Sequence, residues 1–260
     1  MALAEMNYKS LSLSREVSLV VFLPSNDGWA NAQMPFRTLY FLPGYGAGAR
    51  DTATLLSIRR WSMEQGIAVV IPDGENSLYE NYSDKINKYS DFVGKEIVEV
   101  TRKIFPLSKK REDTFIGGYD IGSHGAVVNG LRYIENFSKI VLLLPVLDYY
   151  KLLDQSKPSF EKDFLDSVYI NEESYNLGDK KALNALINNS KDEKRLVDLF
   201  IGMTEEEGYF NKETDKIIPL LKEKGCYIEQ VRLEEDSNLV FLENMMEPMF
   251  SFLGKKRAMI

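Results

Sequence analysis

The stretch "TFIGGYDIGSHGA" at residues 114–126 is the most informative part of this sequence. Its first half is an apolar run of strand length, and its second half begins a helical pattern. Gly118 and Gly122 enclose three residues between these halves, which predicts a sharp strand-to-helix turn with Asp120 at its apex. Glycine suits both flanks because the two backbones approach closely there, and aspartate tolerates a left-handed apex better than most residues. The stretch therefore predicts a strand-turn-helix unit with a carboxylate over the helix N-terminus.

Strand-like and helical segments alternate on both sides of this turn. The strand-like runs are apolar on both faces, as expected for strands that helices cover on both sides. The alternation predicts an α/β fold with a doubly wound, mostly parallel sheet and helices on both faces. Strands are predicted at 17–23, 38–43, 66–74, 112–118, 138–145, 195–202 and 226–233, with 8–13 pairing to the first in a hairpin. Helices are predicted at 52–64, 88–105, 122–134, 215–225 and 238–254.

The chain has no internal repeat or low-complexity linker. Its 260 residues suit one large α/β domain, so we expect a single domain over residues 1–260. The composition shifts only at 147–194, which is rich in Tyr, Lys, Asp and Asn. We interpret this segment as a cap-like insertion above the carboxyl edge of the sheet, where ligands bind, the alternative being a surface excursion away from any site.

Charge and composition exclude several functions. A net charge of -7 argues against a nucleic-acid partner, because phosphate binding needs a basic surface. No apolar run approaches membrane-spanning length, and the N-terminus lacks the pattern of a secretion signal, so we expect no membrane partner and a cytoplasmic location. The single cysteine, Cys226, excludes an intrachain disulfide and gives no zinc ligand set. We expect no cofactor and no metal.

Several segments resemble the tributyrin esterase and esterase D (S-formylglutathione hydrolase) branch of the α/β-hydrolase superfamily. The turn of that family runs like G-x-S-M-G-G-[YH]-G-A, and "GYDIGSHGA" at 118–126 fits the same frame. Family-like segments also occur at 40–48, "YFLPGYGAG", and at 68–82, "AVVIPDGENSLYENY". The resemblance spans roughly residues 8–255. It implies the α/β-hydrolase fold and a family chemistry of acyl transfer from esters or thioesters through a Ser-His-Asp triad.

The resemblance also assigns the family's catalytic positions to residues of this chain. The serine nucleophile falls on Asp120, and the histidine falls on Ser237. The triad acid falls on Glu205, with Glu206 and Glu207 as the alternatives. The triad expected from the resemblance is therefore degenerate, because both its nucleophile and its base are replaced.

The family's oxyanion hole uses two backbone N–H groups, which the resemblance assigns to Tyr45 and Ile121. Backbone donors survive changes of side chain, so the hole can persist in this chain. A fixed anion at Asp120 would nevertheless occupy the positive region and oppose a developing oxyanion.

A missing base is the larger obstacle to serine-esterase chemistry. A hydroxyl nucleophile needs a neighbouring base that takes and returns its proton, and Ser237 cannot do this near neutral pH. The only histidine of the chain is His124, one helical turn past Asp120, where the family itself carries Tyr or His. We expect a structural role for it, and a Ser123–His124 pair is disfavoured because helix neighbours do not face each other.

Three functions remain open from the sequence. We expect a pseudoenzyme that lacks ordinary serine-esterase activity and keeps a pocket for a small-molecule ligand or a partner. The first alternative is altered chemistry with Asp120 as nucleophile or base, helped by Glu205 or Asp236. The second is a carboxylate cluster that holds Ca²⁺ or Mg²⁺. Tyr79 and Tyr82 either line the pocket or lie on the surface. Esterases of this branch are often oligomeric, which leaves a homo-oligomer possible.

Overall fold

The computed structural model describes residues 1–24, 32–82, 86–147, 197–205, 209–223, 225–235 and 239–255. The strands of these ranges form one eight-stranded sheet in the order β1-β2-β4-β3-β5-β6-β7-β8. The β1–β2 and β2–β4 pairs are antiparallel and the other pairs are parallel, so the predicted mostly parallel sheet is confirmed. The strands are β1 Ala2–Lys9, β2 Glu16–Leu23, β3 Arg37–Leu42, β4 Ile67–Pro72, β5 Thr114–Tyr119, β6 Lys139–Leu143, β7 Asp198–Thr204 and β8 Ile228–Leu233.

Helices cover both faces of this sheet. The helices are α1 Ala49–Leu55, α2 Ile58–Gln65, α3 Tyr89–Asp91, α4 Ile97–Ile104, α5 Ile121–Arg132, α6 Tyr209–Glu223 and α7 Leu239–Gly254. A π-helical turn, Phe92–Glu96, joins α3 to α4. One apolar core lies between the sheet and the helices α3 to α6, and a second lies between the opposite face and α1, α2 and α7. Burial of apolar surface in two cores fixes the central strands, and with them the turn that follows β5.

Three predicted elements differ from the observed ones. The helix predicted at 215–225 begins earlier, as α6 Tyr209–Glu223. The N-terminal strand is β1 at residues 2–9 rather than 8–13, because residues 10–15 form the hairpin connection, closed by a 2.8 Å hydrogen bond from Ser10 N–H to the Arg15 carbonyl. The helix predicted at 52–64 is two helices, α1 and α2. Leu56 between them is extended and buried, and the Ser57 N–H donates to the Glu243 carboxylate at 2.8 Å. A tertiary contact with α7 therefore replaces the helical hydrogen bond there.

The segment 148–194, predicted as most of a cap-like insertion, lies outside the described residues. The cap and the single domain over 1–260 accordingly stay predictions. Within the described ranges, no helix has the length and apolar character required to cross a membrane.

Candidate functional site

The predicted strand-turn-helix unit is present at the carboxyl end of β5. Asp120 connects β5 to α5 with φ 53° and ψ −124°, which confirms the left-handed apex. Such a backbone costs a non-glycine residue about 1–3 kcal/mol and needs support from its surroundings. The Asp120 N–H donates to the Leu143 carbonyl at 3.1 Å, and the Asp120 carbonyl accepts the Ser123 N–H at 2.9 Å. Hydrogen bonds to β6 and within α5 therefore hold the backbone of the turn in place.

The two flanking glycines are required by close backbone packing, as the sequence predicts. A Cβ on Gly118 would lie 2.5 Å from the carbonyl carbon of Gly122. A Cβ on Gly122 would overlap the carbonyl oxygen of Leu42 at the end of β3 and come within 2.7 Å of that of Pro43. Backbone atoms cannot move aside as a side chain can, so any larger residue at either position disrupts the turn.

The Asp120 carboxylate lies between the two backbone donors assigned to the oxyanion hole. The Tyr45 N–H donates to Oδ2 of Asp120 at 2.9 Å, and the Ile121 N–H also donates to this carboxylate. Burial raises the pKa of Asp120 above its ordinary value, although the two N–H donors act in the opposite direction. The Asp120 side chain thus occupies both backbone donors that the resemblance assigns to the oxyanion hole.

Asp120 forms no ion pair with any Lys or Arg of the described ranges. Its negative charge is stabilised instead by two backbone N–H groups, that of Ile121 at the N-terminus of α5 and that of Tyr45 in the loop after β3. This makes Asp120 a partly buried anion with backbone donors but without a cationic side chain beside it in that part of the chain.

The loop that carries Tyr45 is held by the segment after β4. The Gly46 N–H donates to Oδ1 of Asn76 at 2.7 Å, and the Tyr79 hydroxyl donates to the Pro43 carbonyl at 2.7 Å. Asn76 and Tyr79 both have a positive φ, of 56° and 58°, as do Glu75 and Leu78. These strained residues support the donor loop.

Tyr79 is fully buried and so does not lie on the surface, one of the two locations that the sequence left open. Its ring packs against the positions of Gly74 and Gly125, where no Cβ could fit. Burial raises the pKa of Tyr79 well above its ordinary value, so the hydroxyl stays a neutral donor. The tyrosine therefore acts as a structural support of the loop. Tyr82 packs on Tyr89 with 5.7 Å between ring centroids.

Ser123 and His124 belong to the first turns of α5. The Ser123 hydroxyl donates to the Asp120 carbonyl at 2.6 Å and accepts the Val146 N–H at 3.0 Å, which ties α5 to the segment after β6. The His124 side chain is completely buried. The expected structural roles of both residues are consistent with these positions.

Glu205, which the resemblance assigns to the triad acid, also lies within the described residues. It follows β7, is exposed, and donates its N–H to the Leu233 carbonyl at 2.8 Å. Because β6 separates β5 from β7, the strand ends that carry Asp120 and Glu205 lie at the same edge of the sheet, about 10 Å apart. The remaining residues assigned to the site, Glu206, Glu207, Asp236 and Ser237, lie outside the described residues.

The structure therefore brings Asp120, Tyr45 and Ile121 together and leaves the assignment of the triad a prediction. Among the described residues, no group of three or more His, Cys, Asp or Glu side chains is arranged to hold a metal ion. The carboxylate cluster considered from the sequence includes Asp236, which lies outside the described residues, so the cluster stays a prediction.

Residues 10–221 match the protein family described as "Putative esterase". The chain belongs to this esterase family. A curated relative, an acetyl esterase of Caldicellulosiruptor saccharolyticus, is 31% identical over an alignment of 245 residues, with 91% of each chain covered. Membership of an esterase family was expected from the turn and its flanking segments, and this part of the expectation is confirmed.

Two solved structures from Staphylococcus aureus share the fold. The fluorophosphonate-binding serine hydrolase FphF has a TM-score of 0.85 and 23% identity, with 98% of both chains covered. The S-formylglutathione hydrolase FrmB has a TM-score of 0.84 and 22% identity, with 98% of this chain and 99% of that chain covered. The α/β-hydrolase fold is therefore confirmed.

Proposed function

We propose that this chain is a non-catalytic member of the esterase family whose pocket binds a small molecule or a partner without hydrolysing an ester. The observation that carries the proposal is the hydrogen bond from the Tyr45 N–H to the Asp120 carboxylate. The residue at the apex of the turn has no hydroxyl to attack an acyl group, and its own negative oxygen occupies one of the donors for the oxyanion.

Electrostatics oppose the family reaction at this site. A tetrahedral intermediate places a negative oxygen between the donors of the hole, and donors of this kind typically contribute about 3–4 kcal/mol each to the transition state. With a carboxylate already between them, that contribution is lost and charge repulsion is added.

The lack of a histidine at the position assigned to the base also supports a non-catalytic site. The only histidine of the sequence, His124, is completely buried in α5. The position that the family resemblance assigns to the base is Ser237, which is uncharged at neutral pH. Acyl transfer with an unassisted hydroxyl would be slower by several orders of magnitude.

The direct test is hydrolysis of short-chain p-nitrophenyl esters, beginning with the acetate because a relative is an acetyl esterase. We expect no turnover by the wild type above the buffer rate and measurable turnover by the double variant Asp120→Ser, Ser237→His. A fluorophosphonate probe should label the double variant and leave the wild type unlabelled. Wild-type turnover that disappears in Asp120→Ala would reject the proposal.

One observation favours a second candidate, an aspartate nucleophile. The Tyr45 N–H fixes Oδ2 of Asp120, and a carboxylate held in this way can attack an alkyl carbon with its other oxygen. Hydrolysis of the resulting ester would then place its oxyanion in the same hole. Single-turnover reactions with alkyl halides and epoxides in H₂¹⁸O distinguish this candidate, because only a covalent mechanism incorporates ¹⁸O into the peptide that contains Asp120.

A further inference from the structure

The carboxylate at the apex of the turn changes the kind of ligand that the site can recognise. A serine at this position would leave the hole open to an oxyanion or a carboxylate. Asp120 closes the hole with an anion of its own, so the charge presented to a ligand is reversed from positive to negative.

The two N–H donors favour the ionised form of Asp120, although burial raises its pKa. A backbone N–H can donate a hydrogen bond but cannot accept one, so it stabilises a carboxylate better than a carboxylic acid. The carboxylate has about four lone-pair sites, and the Tyr45 and Ile121 donors use two of them. The remaining sites can accept further hydrogen bonds.

The neighbouring charges do not neutralise Asp120. The carboxylates of Asp73 and Asp120 both act on the Tyr79 hydroxyl, which places two anions near one buried tyrosine. Asp73 accepts the Ala49 N–H at 2.7 Å, and Arg15, in the connection between β1 and β2, is paired with Glu75 at 2.5 Å. A partly buried anion of this kind gains most from a ligand that brings a positive charge and hydrogen-bond donors.

The site is accessible from solvent at this edge of the sheet. Asp120 is partly exposed, and the Tyr45 side chain retains 48% of its exposure. A small ammonium group can therefore reach the carboxylate from solvent.

We propose that Asp120, held by the N–H groups of Tyr45 and Ile121, is the recognition point for an ammonium group, and that this site binds small primary amines. This inference rests on the proposed function, since the ligand is retained rather than cleaved. It names the ligand class that the non-catalytic site selects.

The experiment compares three four-carbon probes by isothermal titration calorimetry on the full chain: butylammonium chloride, 1-butanol and sodium butyrate. We expect butylammonium to bind wild type about tenfold more tightly than butanol, with butyrate the weakest. The preference should weaken as salt is added, because an accessible ion pair is screened.

The variant Asp120→Asn keeps the shape of the side chain and removes its charge, so the preference for butylammonium should disappear. The control is Glu64→Gln, which removes an equal charge from an exposed pair with Arg60 on α2 and should leave binding unchanged. If Asp120→Asn fails to fold, Asp120→Ser serves instead. Its open hole should reverse the preference, so that butyrate binds more tightly than butylammonium.

Equal binding of amine and alcohol, no binding of butylammonium, or a preference that survives in Asp120→Asn would overturn the inference. Failure of the proposed function is a separate result, because it appears as ester turnover and not as a change in amine binding. A wild type that hydrolyses esters and binds butylammonium through Asp120 would reject only the proposed function.

Discussion

Asp120 and Lys139 are charged side chains at opposite ends of two neighbouring parallel strands. Asp120 follows the carboxyl end of β5, and Lys139 begins β6 at the amino end. Each is stabilised by backbone groups that include one end of a helix. Asp120 accepts the Ile121 N–H at the start of α5 and the Tyr45 N–H of the loop after β3. Lys139 donates to the carbonyl groups of Phe252 and Lys255 at the end of α7, at 2.8 and 2.6 Å.

The two sites differ in what encloses the charge. Lys139 is 5% exposed, and its ammonium group lies 4.7 Å from the centre of the Phe252 ring. Asp198 adds a stabilising negative charge. Asp120 is partly exposed, and among the residues that the structure describes its carboxylate accepts only backbone N–H groups. The comparison indicates that backbone groups at a helix end can stabilise a buried charge, as at Lys139, or a charge that a ligand can reach, as at Asp120.

The largest expected loss of stability comes from a substitution that disrupts the turn. Gly122→Ala should lower the free energy of unfolding by about 3 kcal/mol or more, because the new methyl group overlaps the Leu42 carbonyl oxygen. Urea denaturation followed by circular dichroism measures the loss. Gly46→Ala is the control, since Gly46 has φ 72° but open space around it, and should cost about 1–2 kcal/mol. Equal losses in the two variants would contradict the role of close packing.

The next largest effect on stability is expected at Lys139. Lys139→Met should lower the free energy of unfolding by about 2 kcal/mol, because two buried carbonyl groups lose a charged donor. The control is Lys103→Met on the exposed side of α4, which should change stability by less than about 0.5 kcal/mol. Urea denaturation at pH 7 compares the two variants, and similar values would argue against a stabilising role for Lys139.

Lys139 also predicts a pH dependence. Burial lowers the pKa of Lys139 to about 8, whereas an unfolded lysine has a pKa of about 10.4. Between these values the unfolded chain binds more protons, so this group makes wild type more stable as pH rises from about 8 to about 10. The difference between wild type and Lys139→Met should grow over that window, and a difference independent of pH would contradict the pKa shift.

A smaller effect concerns the support of the oxyanion loop. Tyr79→Phe removes the hydrogen bond to the Pro43 carbonyl and should cost about 1 kcal/mol of stability. In the Asp120→Ser, Ser237→His background it should also reduce ester turnover several-fold, because the Tyr45 N–H is less well positioned. Tyr227→Phe, at an exposed tyrosine, is the control for both measurements. Full turnover in the Tyr79 variant would show that the loop does not depend on this bond.

The smallest expected change in stability is that of a substitution at Asp120. The raised pKa means that ionising Asp120 costs stability in the folded state, a cost present above the folded pKa and absent below the ordinary aspartate value of about 3.9. Asp120→Asn should therefore be more stable than wild type at pH 7 by less than about 1 kcal/mol, with the gain lost in acid. Thermal unfolding across this pH range measures it. A variant clearly less stable at pH 7 would show that the charge stabilises the fold.

Much of the fold was predictable because its signals are local. Apolar runs of strand length predicted the strands of the parallel sheet to within a few residues. The glycines at 118 and 122 predicted the sharp turn, because closely packed backbones leave no space for a side chain at either position. The errors arose where tertiary contacts override local pattern, as at Ser57, whose N–H bonds Glu243 on a distant helix instead of continuing α1.

By itself, the sequence determined that an aspartate stands at the apex of an esterase-family turn, because residue identity and glycine spacing require no coordinates. Only the tertiary structure decided where that carboxylate lies. Tyr45 is distant in the chain, and its N–H reaches Asp120 because β3 and β5 are adjacent and parallel. The support of that loop by Asn76 and Tyr79 likewise depends on strained backbone conformations, which arise from packing among three separate segments rather than from local sequence.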